Sequence, residues 1–289
     1  MVVARFLIGA AIFLFLLVAP SSVVISCAVI SLAQAHFLIA YYYHYKTGKV
    51  NRGYILRYIV AFVVVFGSYY FFEQNSWPAF LMGSYFVVHF LYDERYLMSE
   101  PTDFFGWFRL APIMISCAPV AMGSLGMNVY TEARVALLLF GGIYLIGRCI
   151  KKIPVSSSDL YFLYVFVGCS FLTFSEYAPN VGQAISFIAL SHYGNWYLHY
   201  LVKFRSNPVV YRRFWLEILF FNAVTLSLFF CYQWINSGVF QWLKYFSQWD
   251  YFSLWTLMHF FVTFRKSDLG NWVPFASTKI KSNSEVALP

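Results

Sequence analysis

Charged side chains are scarce in this sequence. Only 11% of the 289 residues are Asp, Glu, Lys or Arg, whereas 61% are hydrophobic and the mean hydropathy is +0.64. About a quarter of the residues in a soluble domain are charged, because they cover its surface in water. This chain has less than half of that share. The composition therefore argues against a water-soluble protein and predicts that lipid surrounds most of the chain.

Cysteine is also rare, and no two cysteines form a CxxC pair. The five cysteines lie within or at the ends of apolar segments, which is typical of small buried side chains rather than of a disulfide framework. The sequence contains no GxxxxGK[ST], GxGxxG or GxSxG motif. A phosphate-binding loop, a dinucleotide fold and a nucleophile elbow therefore have no support.

Long apolar segments, in contrast, fill most of the chain. A helix needs roughly 20 apolar residues to cross a bilayer, so the sequence predicts an all-α, polytopic transmembrane bundle of about ten spans over residues 1–270. A polar, disordered cytoplasmic tail is expected over 271–289. The first segment has the length of a signal peptide, but its single basic residue and missing AxA site favour an uncleaved span. The expected spans cover residues 5–19, 23–45, 54–72, 79–97, 104–124, 133–150, 158–175, 181–204, 213–233 and 247–265.

The basic residues predict the orientation of these spans. If the N-terminus is cytoplasmic, all of the 20 Lys and Arg except Arg134 and Lys244 fall on the cytoplasmic side, as the positive-inside rule requires. Both termini are then cytoplasmic. The net charge of +8 is spread over short clusters between spans, so it indicates topology and the lipid bilayer as partner, with no nucleic acid.

All six histidines lie on even-numbered spans: His36, His44, His89, His192, His199 and His259. The four deeper ones precede the first cytoplasmic basic residue of their span by about 9–17 Å. Intramembrane ionisable residues are costly and mark functional sites, and imidazole is the commonest metal ligand. The pattern therefore predicts one metal centre, whose ligands are His36, His89, His192 and His259.

Four polar residues are expected to support these ligands through hydrogen bonds. Asp93 follows His89 by one helical turn, and Asn195 and His199 share one helix face with His192. Glu217 lies at a similar depth in its span. Ligating histidines usually have such partners, which fix the orientation of the ring.

Histidine combined with carboxylate suits non-haem iron, zinc or manganese, and non-haem iron is the expected cofactor. The sequence then predicts a metal-dependent oxidoreductase or oxygenase that acts on a lipid-soluble small molecule, without identifying catalytic residues. Three alternatives stay open: a bis-histidine haem, a transporter whose histidines relay protons, and a component without catalysis or cofactor whose histidines pack helices.

The order of the histidines resembles that of the Brp/Blh family of membrane-embedded, iron-dependent β-carotene 15,15'-dioxygenases. The corresponding stretches are "AQAHFLIA" with His36, "VVHFLYDE" with His89 and "ALSHYGNWYLHY" with His192 and His199. His36 lacks the Pro before it and the Gly-Ala after it that the family carries, and the late pair is seven rather than four residues apart. The resemblance implies a helical membrane enzyme with iron held by histidines from separate helices.

Overall fold

The computed structural model is built of α-helices, and no strand occurs in the ranges that it describes. Those ranges are residues 2–19, 21–71, 84, 89–91, 93–94, 97, 104–123, 127, 129–151, 160, 163–169, 181–235 and 238–263. The helices are α1 (Val2–Val18), α2 (Ser22–Lys46), α3 (Arg52–Phe71), α4 (Phe104–Gly123), α5 (Tyr130–Lys151), α6 (Val181–Phe204), α7 (Pro208–Phe230), α8 (Lys244–Ser247) and α9 (Trp249–Thr263).

Four helical segments in these ranges are long and apolar enough to cross a membrane, namely Ser22–Lys46, Arg52–Phe71, Tyr130–Ile150 and Pro208–Trp234. The side chains of these segments account for their apolar character. Each is rich in Val, Ile, Leu and Phe, and α3 and α5 leave many of these side chains exposed, as expected for surfaces that face lipid. The fold class is therefore all-α with membrane helices, as the composition predicts.

The sequence predicts about ten spans, and within the described ranges four are supported by length and composition. The apolar stretches Val3–Val18 and Leu110–Pro119 are shorter. Helix α6 has 24 residues, but its histidine, asparagine and glutamine side chains lower its hydropathy. Fifteen residues of α9 are described, and the expected span 247–265 extends two residues beyond them. The expected spans 79–97 and 158–175 lie largely outside the described residues, as does the expected tail 271–289.

Local sequence signals set the ends of the helices that carry the site. Ser21 caps α2, since its hydroxyl accepts a hydrogen bond from the Val24 amide at 3.4 Å. Helix α2 ends before Gly48, whose φ of 68° lies in the left-handed region that glycine adopts without strain. Asn207 caps α7 in the same way as Ser21, accepting from the Val210 amide at 3.2 Å ahead of a proline in the first turn.

Helix α2 is the central element of the fold. It packs against α6, α7 and α9. Of an apolar stretch of 18 residues in each helix, 56% is buried in α2, compared with 11% in α3. Helix α1 covers α6 on its other side, and α4 pairs with α5. The main hydrophobic core contains Ile30, Phe37, Phe90 and Phe187. Polar side chains carried by α2 and α6 are thus placed in the interior of the protein rather than against lipid.

Candidate metal centre

His36 lies in the buried stretch of α2, with 2% of its surface exposed. Ala33 and Ala35 beside it are fully buried, so the helix surface is small here and neighbouring helices approach closely. The ring of Trp196 from α6 meets the imidazole edge-on, at 4.4 Å between ring centroids. The Nδ1 atom of His36 has no hydrogen-bond partner in the described parts of the chain. A buried nitrogen in this state is unfavourable unless an ion or a ligand satisfies it.

Helix α6 turns the polar face of "SHYGNWYLHY" into the protein. His192 and Asn195 are each only 1% exposed. Gly194 is two residues from His192 and so lies on roughly the opposite side of the helix. A Cβ atom at Gly194 would lie 2.7 Å from Cγ2 of Ile8, which shows how closely α1 packs there. The side of α6 that carries Gly194 therefore faces α1, and the side that carries His192 faces the interior of the protein.

Two carboxylates contact opposite edges of the His192 ring. Its Nε2 atom lies 3.7 Å from Oδ2 of Asp93, and its Nδ1 atom lies 3.1 Å from Oε1 of Glu94. The same Oδ2 atom of Asp93 lies 3.2 Å from Nε2 of His89, one helical turn earlier in the chain. When Glu94 accepts from Nδ1–H, the Nε2 atom of His192 keeps its lone pair free to bind a cation.

His259 of α9 completes a ring of four imidazoles. Its ring centroid lies 5.5 Å from that of His36 and 5.8 Å from that of His89. His192 lies 5.8 Å from His36 and 6.3 Å from His89 by the same measure. The structure thus brings together all four histidines that the sequence singles out as ligands, from four separate stretches of the chain.

The spacing of the cluster fits one metal ion. A ring whose nitrogen lies about 2.1 Å from a metal has its centroid about 3.2 Å away, so two ligating rings are at most about 6.5 Å apart. The four neighbouring pairs given above all lie below this limit. The donor atoms of His89, Asp93 and His192 also lie within 4.8 Å of one another. These three residues are therefore close enough to share one metal ion.

A small cavity lies beside the four-histidine ring. It is lined by His36, His89 and His192 together with Phe37, Phe90, Tyr193 and Thr256. Its free space is about that of a single water molecule. The polar atoms of the site therefore face a confined space with aromatic walls.

The charges of the cluster also favour a cation. Glu94 is 1% exposed and Asp93 is partly exposed, and both carboxylates approach a buried imidazole. Carboxylate oxygens beside imidazole nitrogens are donor types that bind a divalent metal ion.

The remaining predicted residues lie in three different surroundings. Asn195 is buried one turn from His192. His199 is only partly buried, with its ring 5.3 Å from that of Tyr200. Glu217 belongs to a separate network, where its carboxylate accepts hydrogen bonds from Tyr43 at 2.5 Å and from Arg213 at 3.0 Å.

Glu94 is the contact that sequence reasoning misses. It directly follows Asp93, and neighbours in a helix point about 100° apart, so a search for one shared face selects Asp93 alone. Both residues reach His192 because its ring lies between them, with one nitrogen on each side. The available signal is an acidic pair at the end of an apolar segment, close to a histidine.

No protein-family model, curated protein or solved structure matches this chain.

Proposed function

We propose that the protein is a membrane-embedded oxidoreductase with a non-haem iron ion held by His89, Asp93 and His192. The observation that carries this proposal is the approach of one Asp93 oxygen to Nε2 of both histidines, at 3.2 and 3.7 Å. Two histidines and one carboxylate on one side of an ion form the ligand set typical of non-haem iron oxygenases. His36 and His259 are the next ligands, from two further helices.

The arrangement around His192 supports a metal site rather than helix packing. A histidine that only packs helices needs one hydrogen-bond partner. Here Glu94 accepts from one nitrogen of the ring and leaves the other directed towards Asp93. This carboxylate–histidine pairing is the usual support of a metal-binding imidazole. Glu94 therefore orients the ligand.

The apolar surroundings of the site suit a lipid-soluble substrate, whose entry requires the water-sized cavity to widen. Iron bound in this way supplies oxidative chemistry with dioxygen. The residues around it are aromatic, with Phe37, Phe90 and Tyr193 lining the cavity, and they keep water away from the reacting atoms. The resemblance to the Brp/Blh family makes a carotenoid polyene the first substrate to test. The expected products from β-carotene are two molecules of retinal.

The proposed topology is a multi-pass bundle of about ten spans with both termini in the cytoplasm, supported by the distribution of basic residues. Reporter fusions after Lys49, Lys152 and Lys266 are expected to read cytoplasmic. Fusions within 73–78 or 175–180 are expected to read external. The reverse pattern would contradict the orientation, and a cytoplasmic reading everywhere would contradict the span count.

Metal analysis of detergent-purified protein tests the iron centre. We expect about one iron per chain without the absorption spectrum of haem. Asp93→Asn and His89→Ala are expected to lose the iron, whereas His44→Ala, at the end of α2, serves as the matched control and keeps it. Zinc or manganese in place of iron would retain the site but overturn the oxygenase chemistry.

A proton-relaying transporter is the second candidate. It is favoured by the same contacts, because protonated histidines would form ion pairs with Asp93 and Glu94 in the absence of a metal. Purified protein that contains no metal and takes up none from ferrous, zinc or manganous salts would select this function. Stoichiometric iron selects the oxidoreductase.

A further inference from the structure

A line of aromatic side chains connects the histidine cluster with the turn between α2 and α3. The ring centroid of Tyr41 lies 5.7 Å from that of His259 and 5.8 Å from that of Tyr58. Tyr54 is one helical turn from Tyr58 in α3. His44 lies 5.5 Å from Tyr54 by the same measure. The line therefore runs from the interior of the protein to the ends of two membrane helices.

The outer end of the line is a hydrogen-bonded tyrosine–histidine pair. The Tyr54 hydroxyl lies 3.2 Å from Nδ1 of His44, so it donates to the ring when that nitrogen is unprotonated. Tyr54 is 8% exposed. Asn51 fixes its backbone, because the Asn51 side chain accepts a hydrogen bond from the Tyr54 amide at 2.9 Å. The pair is thus held in place by the first turn of α3.

We propose that Tyr54 and His44 form a redox-active pair that delivers single electrons through Tyr58 and Tyr41 to the metal centre. A phenol that loses an electron becomes strongly acidic, so its oxidation is easy only where a base takes the proton. The oxidant that dioxygen generates at the metal centre takes one electron from Tyr54, and the hydroxyl proton of Tyr54 moves to Nδ1 of His44. A one-electron reductant in the aqueous phase, such as ascorbate, then restores Tyr54, and the proton returns from His44.

The rings of Tyr41 and Tyr58 act as the bridge for the electron and not as a proton path. The Tyr41 hydroxyl is buried and has no hydrogen-bond partner among the residues that the structure describes. A continuous chain of hydrogen bonds is therefore interrupted at Tyr41, whereas ring contacts join His259, Tyr41 and Tyr58, and Tyr54 lies one helical turn from Tyr58. Delivery to the metal rests on the proposed function, but the chemistry of the Tyr54–His44 pair does not.

Flash photolysis of the metal-free protein tests the pair. A ruthenium photosensitiser is attached to the exposed position Lys49→Cys, after Cys149→Ser removes the exposed native thiol. After a flash, the excited label gives an electron to a cobalt(III) acceptor and becomes a one-electron oxidant. The label then oxidises the pair, and a tyrosyl radical is expected in transient absorption and electron paramagnetic resonance. Tyr54→Phe is expected to lose most of this signal, and His44→Phe to slow its formation by about 100-fold, because the proton acceptor is gone.

Tyr45→Phe is the matched control for these variants, since Tyr45 lies in the same turn and is 73% exposed. It is expected to leave the yield and the rate unchanged. A radical that forms equally in Tyr54→Phe, or at the same rate in His44→Phe, would overturn the pair.

The iron-loaded protein tests the bridge. The Tyr54 radical is expected to decay rapidly by taking an electron from ferrous iron, and Tyr41→Leu and Tyr58→Leu are each expected to lose the fast decay while keeping the iron. Unchanged decay in both variants would overturn the bridge. If the chain binds no iron, the link to a metal falls together with the proposed function, while the metal-free measurement still decides the pair.

Discussion

His192 and His199 lie two turns apart on one face of α6, yet their surroundings differ completely. His192 is 1% exposed and lies between the carboxylates of Asp93 and Glu94. His199 is partly buried and contacts the ring of Tyr200 one residue along the helix. A shared face therefore does not imply a shared role. The depth within the bundle, and what the neighbouring helices present there, separates the two histidines.

The acidic residues show the same contrast. Glu217 lies close to Lys46 at 3.6 Å and to Arg213 at 3.0 Å, so basic side chains balance its charge. Asp93 and Glu94 approach imidazoles instead. Basic side chains thus neutralise Glu217. Asp93 and Glu94 instead place carboxylate oxygens beside imidazole nitrogens, which are the donor types of a metal site, and this difference motivates the proposed metal centre.

The largest effect is expected for His192→Ala. It removes the ring that contacts both Asp93 and Glu94. Removing a buried hydrogen-bond partner typically costs about 1–3 kcal/mol. We expect loss of the bound iron, measured by elemental analysis, and a lower free energy of unfolding, measured by denaturation in detergent. Iron content equal to wild type would show that the ring does not bind the ion.

Glu94→Gln is expected to have the next largest effect. The variant keeps the shape of the side chain but weakens its hydrogen bond with Nδ1 of His192. Loss of such a supporting hydrogen bond typically lowers metal affinity by about 10–100-fold. Competition with a metal chelator measures the affinity. Glu217→Gln is the matched control, which changes the network at Arg213 and leaves the affinity unchanged; equal loss in both variants would contradict the assignment.

Gly194→Ala tests whether the close packing of α1 sets the position of the inner histidine. The added Cβ meets the Ile8 side chain at 2.7 Å, and overpacking of this kind costs about 1–3 kcal/mol. Gly67→Ala in α3, where a Cβ has no neighbour within 4 Å, serves as the control and is expected to be neutral or stabilising. A stabilised Gly194→Ala variant, seen in the midpoint of thermal unfolding, would contradict this packing.

The smallest effect is expected for His199→Ala. Substitutions away from the core usually change stability by about 0.5 kcal/mol or less. We therefore expect nearly unchanged unfolding and full iron content. A loss of iron comparable to that in His192→Ala would remove the distinction between the two histidines.

Much of the fold was accessible from the sequence, because lipid-facing helices need long apolar runs. The expected span 181–204 coincides with α6, and the expected span 54–72 differs from α3 by two residues at its start. The four histidines were selected by their place on even-numbered spans and by their depth, which follows from the constant rise of 1.5 Å per residue in a helix. The depth of a residue in its span does not predict which side chains surround it.

The rest could not be predicted, because it depends on how helices pack. Glu217 has the depth of the histidines, but the orientation of α7 directs it to Tyr43 and Arg213 instead. Glu94 was missed because the position of His192 between two adjacent acidic residues follows only from the packing of α6. Helix α6 is also less apolar than the four membrane-spanning candidates, because it carries polar side chains that face the interior of the protein.

X-ray absorption at the iron edge of the purified wild-type protein tests the central claim most directly. We predict imidazole nitrogen and carboxylate oxygen ligands at about 2.0–2.2 Å, with the scattering of several histidine rings. In the His199→Ala variant the spectrum should be identical, and in Asp93→Asn an oxygen ligand should be lost. Iron without histidine ligands, or a spectrum unaffected by Asp93→Asn, would contradict a metal centre at the four-histidine ring.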